Sequence, residues 1–227
     1  MFFRNLHSWN VSPKEAIDIQ NRLKELLNFN TNVHNVSLVA GVDLSFFGEY
    51  GLAVIVVLDR NFDIKDVVYH VQKIEFPYVP GLLAFREGPV FLKAWEKLQT
   101  EVDVVFFDGH GIAHPRFMGI ASHMGLFIEK PTIGVAKRKL VGNYENVPEE
   151  VYSYSYIKYN DKTIGIAFRS KKKTKPIFIS PGNLIDLQSS LHITKLFLNG
   201  YKLPEPTRLA HIYTQKLKKE FIGKEPQ

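Results

Sequence analysis

Apolar and polar positions follow two periods along this chain, and the switches between them mark its elements. Ser12-Pro13-Lys14-Glu15 has the pattern of a helix start, with a Ser cap, Pro at the first position and Glu at the third. Ile19, Leu23, Leu26 and Leu27 then recur at helical spacing, and the polar stretch 28–35 reads as a loop. Residues 39–46 and 51–58 read as strands joined by a turn at Phe47-Gly48-Glu49-Tyr50. Residues 64–75 read as a third strand, carried by Val67, Val68, Tyr69 and Val71. Short connections between the three predict an antiparallel meander. Two prolines and a glycine in Pro77-Tyr78-Val79-Pro80-Gly81 forbid a strand there and predict a stiff, exposed turn. A helix is expected over 83–98, a buried parallel strand over the wholly apolar 104–107, a second helix over 117–128 and another buried strand over 132–135.

The resulting order, β-β-β-α-β-α-β, is an α/β pattern in which a meander leads into right-handed crossovers. It is the order of the ribonuclease H-like fold, a central mixed sheet flanked by helices. Residues 152–158 and 164–168 read as further strands around an Asn160-Asp161 turn, extending or flanking that sheet. Helices are expected near 186–198 and 205–221. No Gly/Ser-rich or Pro-rich linker divides the chain, so a single domain over 1–227 is the expected organisation.

Composition narrows the classes. The chain has 227 residues, 45% of them hydrophobic, enough for a sizeable core. Its opening residues lack the apolar run of a secretory signal, and its longest apolar runs are far too short to span a bilayer. The absence of cysteine excludes disulfides, zinc thiolates and a Cys nucleophile. A soluble, cytoplasmic monomer with no membrane partner is expected. The formal net charge is +6, and basic residues gather at Lys137-Arg138-Lys139 and from Arg169 to Lys175. That balance suits a polyanion, and equally an ordinary solvated surface.

Candidate chemistry centres on carboxylates. Asp43 lies mid-strand, where an ionised group is costly unless paired or metal-bound. Its same-face neighbours Gly41 and Ser45 are small and leave room for a ligand; the alternative is a carboxylate on the solvated face of the meander. Asp108 follows the buried run at its carboxyl end, the edge where open α/β sheets bind ligands; the alternative is a helix-cap or turn aspartate. Glu87, on the helix after the meander, gains meaning only from topology, because that helix can bring it between Asp43 and Asp108. Three converging carboxylates form a hard-oxygen site suited to Mg2+, or to Mn2+, rather than zinc.

Several segments together resemble the endonuclease V family. They are Ala40-Gly41-Val42-Asp43, Pro77-Tyr78-Val79-Pro80-Gly81 with Phe85-Arg86-Glu87, and Asp108-Gly109-His110-Gly111 with Ala113-His114-Pro115-Arg116. Gly119-Ile120-Ala121-Ser122-His123 and Pro131-Thr132-Ile133-Gly134-Val135-Ala136-Lys137 follow in the family's order. The resemblance implies a Mg2+-dependent DNA repair endonuclease that recognises deoxyinosine. It would hydrolyse the second phosphodiester bond 3′ to the lesion on the same strand, leaving 3′-hydroxyl and 5′-phosphate ends. Some family members prefer inosine in RNA, so inosine-containing RNA is the alternative substrate; a damage-binding protein without catalysis is the alternative from another class.

By motif position, the resemblance makes Asp43, Glu87 and Asp108 the metal-binding and catalytic carboxylates, Lys137 a basic residue near the scissile phosphate and His211 a histidine near the metal. Taken alone, Lys137 reads equally as a surface lysine and His211 equally as structural. Pro77, Tyr78, Val79 and Pro80 resemble the wedge that enters substrate DNA when a base leaves the stack; read without the family they form a strand-to-helix turn. The lesion pocket implied comprises Gly81, Leu83, Gly109, His114, Gly119, Ile120 and Leu140; His110 and His114 are both candidates for phosphate or pocket contacts, and equally for stabilising a turn. One departure is Asn183, where the family often has His after Ser-Pro-Gly, which puts a phosphate contact there in question.

Overall fold

The computed structural model describes residues 1–30, 33 and 35–222. Thr31, Asn32 and His34, within the loop expected over 28–35, lie outside the described residues. The helix start is as the sequence implies: α1 (Pro13–Leu23) opens on a capping box in which Ser12 accepts from the Glu15 backbone and Glu15 returns the bond. β1 (Leu38–Phe47), β2 (Tyr50–Asp59) and β3 (Ile64–Lys73) form the antiparallel meander. α2 (Leu83–Lys97), β4 (Val104–Asp108), α3 (Ile120–Ile128) and β5 (Thr132–Ala136) follow, with β4 parallel to both β1 and β5.

β6 (Tyr154–Tyr159), β7 (Lys162–Phe168) and β8 (Ile177–Pro181) extend the same sheet antiparallel, giving eight strands in the order β3-β2-β1-β4-β5-β8-β7-β6. α4 (Leu187–Leu196) and α5 (Glu205–Phe221) close the described chain. This is the ribonuclease H-like arrangement, a mixed sheet with helices on both faces. Among the described residues no helix is long and apolar enough to cross a membrane.

Strand alternation builds two cores. Ala40, Val42, Ile55 and Phe107 meet Phe91 and Trp95 of α2 and Phe127 of α3 on one face. Val39, Val54, Val56 and Phe106 meet Phe197 and Ala210 on the other. Asp43 and Asp108 therefore share the parity of Val39 and Phe106 and stand on the α5 side of the sheet.

Two element starts and one whole strand differ notably from the sequence expectation. The helix expected from 117 begins at Ile120, because Phe117 is left-handed (φ 57°) and Gly119 is the cap. The strand expected from 152 begins at Tyr154, because Tyr152 has φ 73°. β8 was not expected as a strand: it is only five residues long, follows a lysine-rich segment ending in Pro176, and itself ends on Pro181 before Gly182. The Asn160-Asp161 turn does form, with both residues left-handed as a tight hairpin requires.

Gly41 decides how closely α5 seats on β1. A Cβ built there would lie 1.9 Å from the Pro206 carbonyl oxygen, a backbone atom that cannot step aside. Gly41→Ala is accordingly expected to destabilise the fold by about 1–3 kcal/mol, read from denaturant unfolding. At Gly48 a Cβ would meet nothing, so Gly48→Ala should cost only its left-handed backbone, about 1 kcal/mol.

Candidate active site

Sheet register creates the site. The last parallel pair between β1 and β4 is Val42 with Phe107, so one further step brings Asp43 beside Asp108 on the same face. Asp43 is 5% exposed. β5 adds Lys137 immediately past its end, and its Nζ donates to Asp108 Oδ2 at 2.6 Å. The close seat of α5 on Gly41 carries His211 to the same place, with Nδ1 3.3 Å from Asp43 Oδ2. One ligand atom each from Asp43, Asp108 and His211 lie within 4.8 Å of one another.

Glu87 is 7% exposed and lies close enough for both aspartates to act on it, yet it is outside that three-residue group. Burial pushes its carboxyl up to about 8, and the charges of Asp43 and Asp108 add to the shift. Burial likewise raises Asp43, with the Asp108 charge acting in the same direction and His211 opposing. Ser45 Oγ, on the Asp43 face, is buried with no hydrogen-bond partner among the described residues. Asp43 and Glu87 held above their ordinary range, with an orphaned hydroxyl on the Asp43 face, are an electrostatic deficit that a hard divalent cation would remove. The donor set fits Mg2+ or Mn2+: Asp43 and Asp108 would hold the ion, and His211 is placed to orient Asp43.

Beside these acids lies a pocket of about 210 Å³. All seven residues predicted for a base pocket line it: Gly81, Leu83, Gly109, His114, Gly119, Ile120 and Leu140. Tyr78, Val79 and Pro80 form its rim, and Tyr78 is 73% exposed; Pro77 is exposed just before it. Gly109 directly follows Asp108, while Leu83 and Glu87 occupy one face of α2 a turn apart, so pocket and acids share their backbone supports.

The pocket wall is held by a polar knot around Gly81, which is left-handed at φ 79°. Its carbonyl accepts from Gln20 Nε2 at 3.0 Å, Arg116 Nη2 at 2.8 Å and His114 Nε2 at 3.0 Å. The Arg116 backbone N–H donates to His114 Nδ1 at 3.2 Å, which leaves the ring proton on Nε2, pointing at Gly81. Burial drives His114 down to about 4, helped by Arg116, and drives His110 down to about 4 as well. His110 Nε2 donates to the Arg138 carbonyl at 3.1 Å. Both imidazoles are thus neutral and engaged with backbone, so they shape the pocket and bring no positive charge to a phosphate.

Gln20, Ala84, His110 and Met118 also line the pocket, and of these only His110 was singled out from the sequence. Gln20 carried a signal: it interrupts the stripe Ala16, Ile19, Leu23 with a polar side chain that is 1% exposed. Ala84 and Met118 carried none beyond ordinary apolarity. Asn183 is resolved by its position. Its backbone N–H donates to Thr132 Oγ1 at the amino end of β5, its Nδ2 to the Gly125 carbonyl, and its Oδ1 accepts from Asn28. It is a buried staple at the end of β5 opposite Lys137, away from the acids.

Comparison with known proteins agrees with this geometry. The family model described as Endonuclease V matches residues 19–212. The chain is 60% identical to the Endonuclease V of Thermosipho melanesiensis over 221 residues, covering 97% of this chain and 98% of that protein. It superposes on the crystal structure of the Endonuclease V of Bacillus subtilis with a TM-score of 0.95 at 35% identity, covering 99% of this chain and 100% of the other. A variant of Ciona intestinalis Endonuclease V, crystallised with a 23mer DNA containing an inosine followed by a ribo-adenosine, aligns with a TM-score of 0.81 at 25% identity, covering 93% of this chain and all of that one. With a family model spanning most of its length and a relative this similar from end to end, the chain belongs to the endonuclease V family.

Proposed function

We propose that this endonuclease takes a deoxyinosine out of the DNA stack into the pocket behind Tyr78 and hydrolyses the second phosphodiester bond on its 3′ side, with Mg2+ as cofactor. The observation that carries the reading is the adjacency of an acid cluster and a mostly apolar pocket: Asp108 belongs to one and Gly109 to the other. The complex of the Ciona protein with inosine-containing DNA supports the choice of lesion. The soluble, monomeric, cytoplasmic single-domain character expected from the sequence belongs to the same reading.

Tyr78, exposed on a turn stiffened by Pro77 and Pro80, is positioned to fill the gap that an extruded base leaves. Stiffness lowers the entropy lost when the ring is inserted. Inside the pocket, hypoxanthine presents a carbonyl where adenine has an amine, so a backbone N–H from a pocket glycine discriminates between them. Asp43 and Asp108 would hold a divalent ion, which would supply charge neutralisation and activation of the hydrolytic water. The water oxygen becomes part of the 5′-phosphate and the 3′ oxygen departs as the alcohol. Lys137 already screens Asp108 and stands where the phosphate arrives, so its ammonium offsets charge that grows in the transition state. His211 holds Asp43 in orientation through Nδ1. The same geometry accepts inosine in RNA as a second reading, because no pocket residue is assigned to the sugar.

Cleavage mapping tests the whole. Matched DNA and RNA oligonucleotides with one inosine should show a nick at the second bond 3′ to the lesion in DNA, dependent on Mg2+ and abolished by chelator. Binding without any nick removes the enzyme mechanism, and cutting confined to RNA shifts the substrate. Asp43→Ala should lower the cleavage rate by at least about a hundredfold while lesion binding partly survives; wild-type rates in that variant contradict the assignment.

Tyr78→Ala should weaken discrimination for inosine duplex more than it weakens affinity for lesion-free duplex, measured by competition binding. Equal losses exclude the wedge.

Glu87 sets a pH dependence. Its folded value, about 8, lies above the ordinary 4.5, so within that window the folded state holds a proton the unfolded state has released. Stability of the metal-free protein therefore falls as pH rises from about 4.5 towards about 8. Glu87→Gln should flatten this slope and raise the denaturation midpoint near pH 9, while cleavage is lost. An unchanged slope in chemical denaturation contradicts the buried-acid account.

A further inference from the structure

Charge on this chain is concentrated. Between 137 and 175 there are ten Lys and Arg against four Asp and Glu, a surplus equal to the net +6 of the entire molecule. This segment leaves the acid cluster at Lys137, passes the base pocket at Leu140 and reaches β6, the outer strand of the sheet, where Asn143 bridges Lys158.

On that outer strand the chemistry is aromatic as well as basic. Tyr154 and Tyr156, two residues apart, project from one face of β6 with ring centroids 5.6 Å apart, and both are exposed. With Tyr144 and Lys158 they line a groove of about 480 Å³ whose single acid is Glu145. The rings are held in place. Gln188 Nε2 donates to the Tyr156 hydroxyl at 3.0 Å, and Tyr144 packs edge-on against Phe178. Lysine ammonium groups stand over them, Lys139 at 6.0 Å from the Tyr144 ring and Lys195 at 5.8 Å from the Tyr154 ring. Fixed aromatic faces interleaved with cations are what unpaired polynucleotide requires: bases stack on the rings while the backbone follows the charge. A duplex keeps its bases stacked on one another and has no use for exposed ring faces.

We infer that the Tyr144–Tyr154–Tyr156 groove on β6 is a second nucleic-acid site, binding an unpaired stretch of polynucleotide flanking the position where the acid cluster cuts. The inference rests on the nuclease reading only for which polymer arrives; the groove's own chemistry selects a single strand whatever the lesion. A polypeptide strand added to the β6 edge is the competing occupant, disfavoured because the Asn143 bridge already covers part of that edge and the surface is cationic.

The test uses the full chain with chelator present, so that nothing is cut, and a lesion-free oligothymidylate as the probe in fluorescence anisotropy. A Tyr154→Ser, Tyr156→Ser double variant should bind at least about tenfold more weakly, with an unchanged thermal melt. The corresponding double Phe variant, which keeps the faces, should bind like wild type. With metal and an inosine substrate, the Ser variant should retain kcat and show a raised KM that disappears as the flanks are trimmed. Undiminished oligothymidylate affinity in the Ser variant overturns the inference, and so does an equal loss in the Phe variant, which would mean the hydroxyls alone act. Ring-dependent binding by a chain that never nicks inosine DNA supports the groove and removes the nuclease mechanism, so the two fail separately.

Discussion

Two acids forced side by side at the edge of the sheet are the constraint around which this molecule is built. Parallel register sets Asp43 next to Asp108, with Asp43 buried and Asp108 partly so. A third acid, Glu87, sits close behind with its proton retained to about pH 8. Left alone, such a cluster opposes folding. The fold tolerates it through the Lys137 ion pair with Asp108, the His211 contact with Asp43 and the burial of a proton on Glu87. Each of these is a partial remedy on which a divalent cation would improve.

The need to place His211 explains an otherwise odd feature of the sheet. A central strand gains from β-branched side chains, yet β1 carries Gly41 two residues before its acid. The absent side chain lets the start of α5 rest on the strand backbone, with the Pro206 carbonyl where a Cβ would be. From that seat one further turn of helix reaches Asp43. The stability given up in the strand interior is exchanged for the position of an imidazole.

Much of the fold was legible because its signals are local. Val104 to Phe107 could be nothing but a buried strand, and the prolines around Tyr78 excluded regular structure, leaving the ring exposed. The acids at 43 and 108 stood out because charge is rare in such company, and the order of elements brought them together. What stayed hidden depends on partners distant in sequence. β8 is an interior strand because β5 and β7 flank it; Ile177, Phe178 and Ile179 suit a strand, but the run is short and set between Pro176 and Pro181-Gly182. Whether His114 serves a phosphate or a turn depends on Gly81, 33 positions earlier, and no pattern near His114 announces that carbonyl. Gln20 was visible as a break in an apolar stripe but silent about its purpose, because its three partners lie on other segments.

The way pocket and acids are joined bears on why an enzyme of this shape would cut at a fixed distance from a base. Three separate segments each contribute to both. Asp108 is followed at once by Gly109; Glu87 lies one turn from Leu83; Lys137 is three residues from Leu140. Gly109 donates to the Val135 carbonyl, Leu83 and Glu87 lie within α2, and the exposed 137–140 stretch is tied at Arg138, whose carbonyl accepts from His110 Nε2. The Gly81 knot ties the remaining wall to Gln20 of α1 and to the Arg116 turn. If the pocket takes the base as proposed, these links would fix where the following phosphates fall, and the acids would meet the same one on every turnover. Selectivity for one bond would then need no contact with the bases in between, only the shortness of the three connections.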